Sequence, residues 1–176
     1  MSIVTKTGDH GTTGLMYNRR VPKFHPRIQA CGAVDELNSA LGMARSTTAH
    51  AEKRLRMETV QKELVGLMGE LATLPEDWEK YKKDGYAQLS GEMTSRLEAW
   101  IKELEAKNIS FKGWATPGAN LHSGSLDMAR SICRRAERHV CELQETAGLN
   151  NPEPLIYLNR LSDLLWLMAR DAEAEK

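Results

Sequence analysis

The chain has 176 residues, with 24 Lys+Arg against 24 Asp+Glu and a formal net charge of zero. That length suits a single domain able to bury a core without staples, and the balanced charge argues against a general nucleic-acid binder, which carries a basic surplus. A composition 41% hydrophobic and 27% charged is that of a globular protein, not a disordered one.

Three cysteines without a CxxC pair suggest neither a disulfide framework nor a zinc site. The longest fully apolar run, Leu164 to Ala169, is far too short to span a bilayer. The opening MSIVTKTGDH lacks the apolar centre of a signal peptide. The expectation is a soluble cytoplasmic protein with no nucleic-acid and no membrane partner.

Residues 1–25 read as irregular, because TKTGDHGTTG carries turn signals and no hydrophobic period. From Pro26 onward the pattern turns helical. Val34, Leu37, Leu41 and Ala44 recur at helical spacing, and Met57, Val60, Leu64, Leu67 and Leu71 do so in a second segment. A third holds Met93, Leu97, Trp100, Ile101 and Leu104, and a fourth Met128, Ile132, Ala136, Val140 and Leu143. A fifth starts near Pro152, a favoured first-turn residue, and holds Tyr157, Leu161, Leu164, Leu165 and Met168. Pro75 to Gln88 is polar and reads as a connection, and Asn108 to Asn120 as a loop. No stretch alternates with period 2, so no sheet is expected. The fold class predicted is all-α, an up-and-down bundle of five helices in a ferritin-like arrangement. Residues 1–176 then form one domain, with 1–25 as an N-terminal loop and 26–174 as the bundle.

The fourth predicted helix concentrates positive charge. Arg130, Arg134 and Arg138 fall with Glu137 opposite its apolar arc, and Arg135 projects between the two. Arginine's planar fork suits phosphate or carboxylate oxygens. The alternative is a solvated face laced by i,i+4 pairs. Against it, every basic residue here is arginine, and the stripe runs beside a strongly apolar arc. On the fifth helix Asn159, Asp163, Trp166 and Arg170 share a face. Asn159 offers donors and an acceptor suited to a ribose or base edge, whereas Asp163 is better read as pairing with a fourth-helix arginine. Asp35, at the first helix's apolar edge, invites the same partner, since an unpaired buried charge is costly. The N-terminal loop offers glycines, threonines and Lys6, with Arg19, Arg20 and Lys23 close behind. Glycine lets backbone N–H groups approach phosphates, but GxxxxGK[ST] is absent and the loop is no P-loop. The five histidines are scattered, so no protein metal site is expected. Cys133 and Cys141 read as inert.

Three motifs coincide in order and spacing: Thr5-Lys6-Thr7-Gly8-Asp9-His10-Gly11; Gly32-Ala33-Val34-Asp35-Glu36-Leu37-Asn38-Ser39; and Cys133-Arg134-Arg135-Ala136-Glu137-Arg138 with Asn159-Arg160-Leu161-Ser162-Asp163 downstream. Together they resemble the propanediol-utilisation-type ATP:cob(I)alamin adenosyltransferases, from Thr5 to Arg170. The resemblance implies a five-helix bundle forming a homotrimer with active sites between subunits. It also implies transfer of the 5′-deoxyadenosyl group of ATP to the Co(I) of cob(I)alamin or cob(I)yrinic acid a,c-diamide, with release of triphosphate. By matching positions, Thr5, Lys6, Thr7, Gly8, Thr13, Gly14 and Lys23 would hold the triphosphate, as would Arg134, Arg135, Glu137 and Arg138 from the fourth helix. Asn159 would contact the adenosine. Asp35 and Arg130 match an intersubunit ion pair near the corrinoid, and Trp114 a bulky aromatic beneath the corrin ring. Mg²⁺ would share the phosphate charge, and a corrinoid reductase and an adenosylcobalamin-dependent enzyme would be partners. Two further readings stand beside it: a non-catalytic adenosylcobalamin carrier, and a helical interaction bundle. The chain departs from the family's frequent Leu-His-x-Ala-Arg at Leu126-Asp127-Met128-Ala129-Arg130, from Pro-Gly-Gly at Pro117-Gly118-Ala119, and from phenylalanine at Trp114.

Overall fold

A computed structural model describes Val4, residues 6–109 and residues 114–174. Among these the chain is mostly helical. It has α1 (Pro26–Ser46), α2 (Ala51–Leu71), the short α3 (Trp78–Lys83), α4 (Gly91–Glu105), α5 (Leu121–Ala147) and α6 (Glu153–Ala174). Each predicted apolar stripe falls on one of the five long helices. No helix of the described residues is long and apolar enough to cross a membrane.

Local chemistry sets the helix ends. Pro26 occupies the first turn of α1, and the His25 ring nitrogen accepts the Arg27 N–H at 3.2 Å. Asn120 and Ser123 form a reciprocal capping box at the start of α5. This cap begins α5 seven residues before Met128, the first apolar residue in its sequence stripe. Gly148, at φ +70°, ends it.

The long helices alternate in direction. At one end lie the start of α1, the ends of α2 and α5, and the starts of α4 and α6. The Arg27 side chain fastens this end: although 2% exposed, it donates to Leu71 O, Thr73 O, Ala147 O and Gly148 O at 2.8–3.3 Å. One guanidinium thus satisfies carbonyls that finish two helices, where a cation is also favoured by their dipoles. At the other end, Asp171 of α6 accepts from Lys53 of α2 at 2.8 Å and from Lys107, just past α4, at 2.7 Å. Between the ends, α1 packs on α2 and α5, and α6 on α5 and α4. Leu37, Leu41, Leu64, Leu67, Leu126, Val140 and Leu158 are fully buried in the shared core.

Three expectations need correction. The polar stretch 75–88 contains α3, a helix whose six residues are too few to show a period. Residues 12–22 contain a small sheet: β1 (Thr12–Gly14) pairs antiparallel with β2 (Arg20–Pro22), Thr13 opposite Val21. Three-residue strands are likewise too short to alternate visibly. Met128, placed on the apolar arc, is 60% exposed. It sits at the edge of that arc, beside the exposed Met43 and Leu121, and the three help line a mostly apolar groove of about 450 Å³.

Candidate active site

The N-terminal hairpin is organised from within. Asp9 N–H donates to Lys6 O, Gly11 N–H to Gly8 O and Lys23 N–H to Gly11 O, at 2.9–3.3 Å. Arg20 on β2 reaches back to Thr7 O at 2.7 Å and Thr12 Oγ1 at 2.6 Å. The Lys23 ammonium lies over Gly8 so closely that a Cβ there would sit 3.2 Å from Nζ. Glycine at position 8 therefore admits the lysine. Lys6, Thr7 and Gly14 are exposed, and Thr13 is half-buried in β1. Thr5 lies outside the described residues. Arg20 belongs to the loop's framework, a role its bare charge did not reveal. Arg19 turns away to Asp77.

The arginine helix of the sequence is α5. Its Cys133 thiol donates to Leu158 O on α6 at 3.3 Å, joining the two helices. The next residue on each helix, Arg134 and Asn159, is exposed. Arg138 is exposed and donates to Arg134 O at 2.9 Å; Glu137 is half-buried next to it. Arg135 pairs with Glu36 of α1. The α1 acid meeting an α5 arginine within this chain is therefore Glu36. Asp35, one residue and about 100° around the helix, is exposed. Asp163 is exposed as well, and the acid–arginine lock between these helices has the opposite polarity from that expected. Its acid is Asp127 on α5 and its arginine Arg170 on α6, 2.5 Å apart. Arg130 Nε lies 3.4 Å from the other Asp127 oxygen. Trp114 is fully exposed.

The Cys31 and Cys133 thiols are poor nucleophiles. Burial pushes Cys31 up to about 12 and Cys133 higher still. No cluster of three or more His, Cys, Asp or Glu among the described residues could hold a metal. What the site offers is exposed positive charge on α5, an exposed amide on the neighbouring α6, a glycine-lined loop with a lysine, and an apolar groove at the start of α5.

Residues 3–172 match the family model described as cobalamin adenosyltransferase. The chain is 38% identical over 176 residues to the corrinoid adenosyltransferase PduO of Salmonella typhimurium, covering 99% of this chain and 51% of that protein. A corrinoid adenosyltransferase of Citrobacter freundii is 38% identical over 171 residues, covering 97% and 94%. The chain thus spans about half the length of the PduO proteins it matches and nearly all of the shorter relative. A variant PduO-type ATP:corrinoid adenosyltransferase from Lactobacillus reuteri, solved with cobalamin and ATP, superposes with TM-score 0.89 at 32% identity, covering 98% and 93%. A second variant from that organism, solved with ATP, gives 0.86 at 31%, covering 97% and 94%. With the family model spanning nearly its whole length, the chain belongs to the cobalamin adenosyltransferase family.

Proposed function

We propose that the chain transfers the 5′-deoxyadenosyl group of ATP to the Co(I) of a reduced corrinoid. One observation supports the reading: Cys133 of α5 donates to Leu158 O of α6, and the residue after each, Arg134 and Asn159, is exposed, free to serve as phosphate ligand and adenosine ligand on neighbouring helices.

Co(I) is itself a strong nucleophile. It attacks C5′, a Co–C bond forms, and the C5′–O bond breaks with its electrons leaving on triphosphate. No base is needed, so the protein's part is alignment and neutralisation of the leaving group. Arg134 and Arg138 face the phosphates, with Glu137 between them, and Arg135 is braced by Glu36. Lys6, Thr7, Gly8, Thr13, Gly14 and Lys23, with Thr5, form the second phosphate contact. Mg²⁺ would share the phosphate charge by binding triphosphate oxygens, its usual mode at nucleotide sites. A reductase supplies the electron that makes Co(I), and an adenosylcobalamin-dependent enzyme consumes the product. The three free cysteines suit a reducing compartment, the cytoplasm.

The site is shared between subunits of a homotrimer of five-helix, ferritin-like bundles, each a single domain. Two facts support this. The hairpin is tied to the α2–α3 junction, at the end where α5 finishes. Arg134 lies 13 residues before Ala147, about 20 Å back along the axis, a longer reach than one triphosphate. The exposed acid Asp35 is available to a neighbour's Arg130. The groove lined by Met43, Leu121 and Met128 takes the corrin, with Trp114 as the wedge beneath it. Excluding the lower axial ligand makes Co(II) easier to reduce.

An anaerobic assay with cob(I)alamin and ATP tests the reading. Loss of the Co(I) absorbance should be matched by release of triphosphate. Arg134→Ala should lower kcat/KM for ATP at least about 100-fold, and Arg135→Ala should cost less, since Glu36 already holds that side chain. Binding of both ligands without triphosphate would favour the carrier reading. Unchanged ATP binding in Arg134→Ala would remove that arginine from the phosphate site, and a wild-type chain that binds neither ligand would leave only an interaction bundle.

A further inference from the structure

We infer that α3 and the residues that flank it form a latch that sets the position of the nucleotide hairpin, with Asp77 just before the helix and Asp84 just after it as positioning residues for ATP. The inference rests on the hairpin being the triphosphate arm proposed above.

Adjacent residues on an extended strand point to opposite sides, and Arg19 and Arg20 use both. Leu15 N–H donates to Arg19 O at 2.7 Å, so Arg19 continues the β1–β2 ladder. Arg20 gathers Thr7 and Thr12 on the loop side. Arg19 forks onto Asp77 on the other side, Nε to Oδ2 at 2.8 Å and Nη2 to Oδ1 at 3.0 Å. This bidentate geometry is the directional form of an arginine–carboxylate pair. The hydrogen bond from Arg19 holds the Asp77 carboxyl below its usual range.

The turn between the strands is held as well. Tyr17 and Asn18 are both left-handed, at φ +59°, a conformation that non-glycine residues keep only where their surroundings impose it. Tyr17 OH donates to Asp84 Oδ2 at 2.9 Å, and Lys80 Nζ lies 4.3 Å from the centre of its ring. Met16 N–H donates to Ala72 O at 2.9 Å.

The latch itself has a firm seat. Trp78, Tyr81 and Tyr86 stack with ring centres 5.4 and 5.0 Å apart, and Tyr81 OH donates to Ala87 O at 2.9 Å. Tyr81 is 1% exposed against Gly69 of α2. A shift of Arg19 would therefore carry Arg20, Thr7 and Thr12 with it, and move the backbone groups that face the phosphates. Misplacement of about 1 Å in such a constellation is costly, and here the cost falls on holding ATP, since the hairpin contacts the phosphates and not the cobalt.

The test compares wild type, Asp77→Asn/Asp84→Asn, and the charge swap Arg19→Asp/Asp77→Arg. Calorimetric titration gives Kd for ATP, and steady-state assays give KM for both substrates. The double variant should raise Kd and KM for ATP about ten-fold. kcat, KM for the corrinoid and Tm should stay close to wild type. The swap should recover most of the lost ATP affinity. If wild type binds ATP and the double variant binds it equally well, the latch is wrong and the enzyme reading stands. Equal losses in kcat and both KM values with a fall in Tm would make α3 a general structural element and overturn the latch too. A wild-type chain that binds no ATP overturns both.

Discussion

Arg170 of α6 and Asp127 of α5 form an ion pair, Nη2 to Oδ2 2.5 Å, with 2% and 4% of their side chains exposed. Glu173 and Arg130 flank it at 3.0 and 3.4 Å, and the Trp166 ring lies 5.9 Å from the Arg170 guanidinium carbon.

Removing one member of such a pair strands the other charge in a dry site. Asp127→Asn should therefore cost about 3–5 kcal/mol, a fall in Tm on the order of 10 °C for a domain of this size. The double variant Asp127→Leu/Arg170→Leu should cost less than either single change, because the charges it leaves, Glu173 and Arg130, are 24% and 28% exposed and reach water. Denaturant unfolding of wild type, Asp127→Asn, Asp127→Leu, Arg170→Leu and the double Leu variant checks this. An Asp127→Asn variant within about 1 kcal/mol of wild type would mean that the pair is not effectively buried.

Gly69 is the contact through which α2 seats Tyr81. A Cβ at Gly69 would lie 2.5 Å from the Tyr81 hydroxyl oxygen, and the ring is held by stacking on both sides. Alanine is the better helix former by about 1 kcal/mol, yet Gly69→Ala should destabilise by about 1–3 kcal/mol through overpacking. Adding Tyr81→Phe removes the clashing oxygen and should recover part of that loss, even though the hydrogen bond to Ala87 goes with it. If thermal melts show Gly69→Ala to be neutral or stabilising, the close seat of α3 on α2 is not real.

Two buried carboxylates should give stability opposite slopes with pH. Burial raises Glu70, although Leu89 N–H and Asn151 donate to it and oppose that shift. The folded state then keeps the Glu70 proton longer than the unfolded chain does. Stability from this group falls as pH rises from the unfolded value through the raised folded one. Asp171 behaves in the reverse sense. Burial would raise it, but hydrogen bonds from Lys107 and Lys53 bring it below the usual range. Its contribution is present above the unfolded value and lost as pH falls through the folded one. Unfolding free energies measured from about pH 3 to about pH 8 should lose the descending component in Glu70→Gln and the acid-side component in Asp171→Asn. Exchange of those two effects would refute the assignment.

Much of the fold was legible because helical period is a local property. The stripes from Val34 to Ala44, from Met57 to Leu71 and from Tyr157 to Met168 mark the core faces of their helices. Pro26 marks the start of the first. The motifs around Gly8, Asp35, Arg134 and Asn159 likewise identified the family. Local pattern could not reveal the pairing of charges. Glu36 rather than Asp35 meets Arg135, and Asp127 rather than Asp163 takes an arginine across the α5–α6 seam, because pairing depends on how each helix is rotated and staggered against its neighbour. Arg27 looked like one more surface cation and is instead sunk among the carbonyls of two helix ends that lie 44 to 121 residues away in sequence. The hairpin and α3 left no periodic trace, since their elements are shorter than any period that could announce them. Sequence by itself determined where the five long helices lie and which family the chain belongs to. Tertiary structure decided which charges are spent on holding the chain together and which remain exposed for a ligand, because a side chain's partner is set by distance in space.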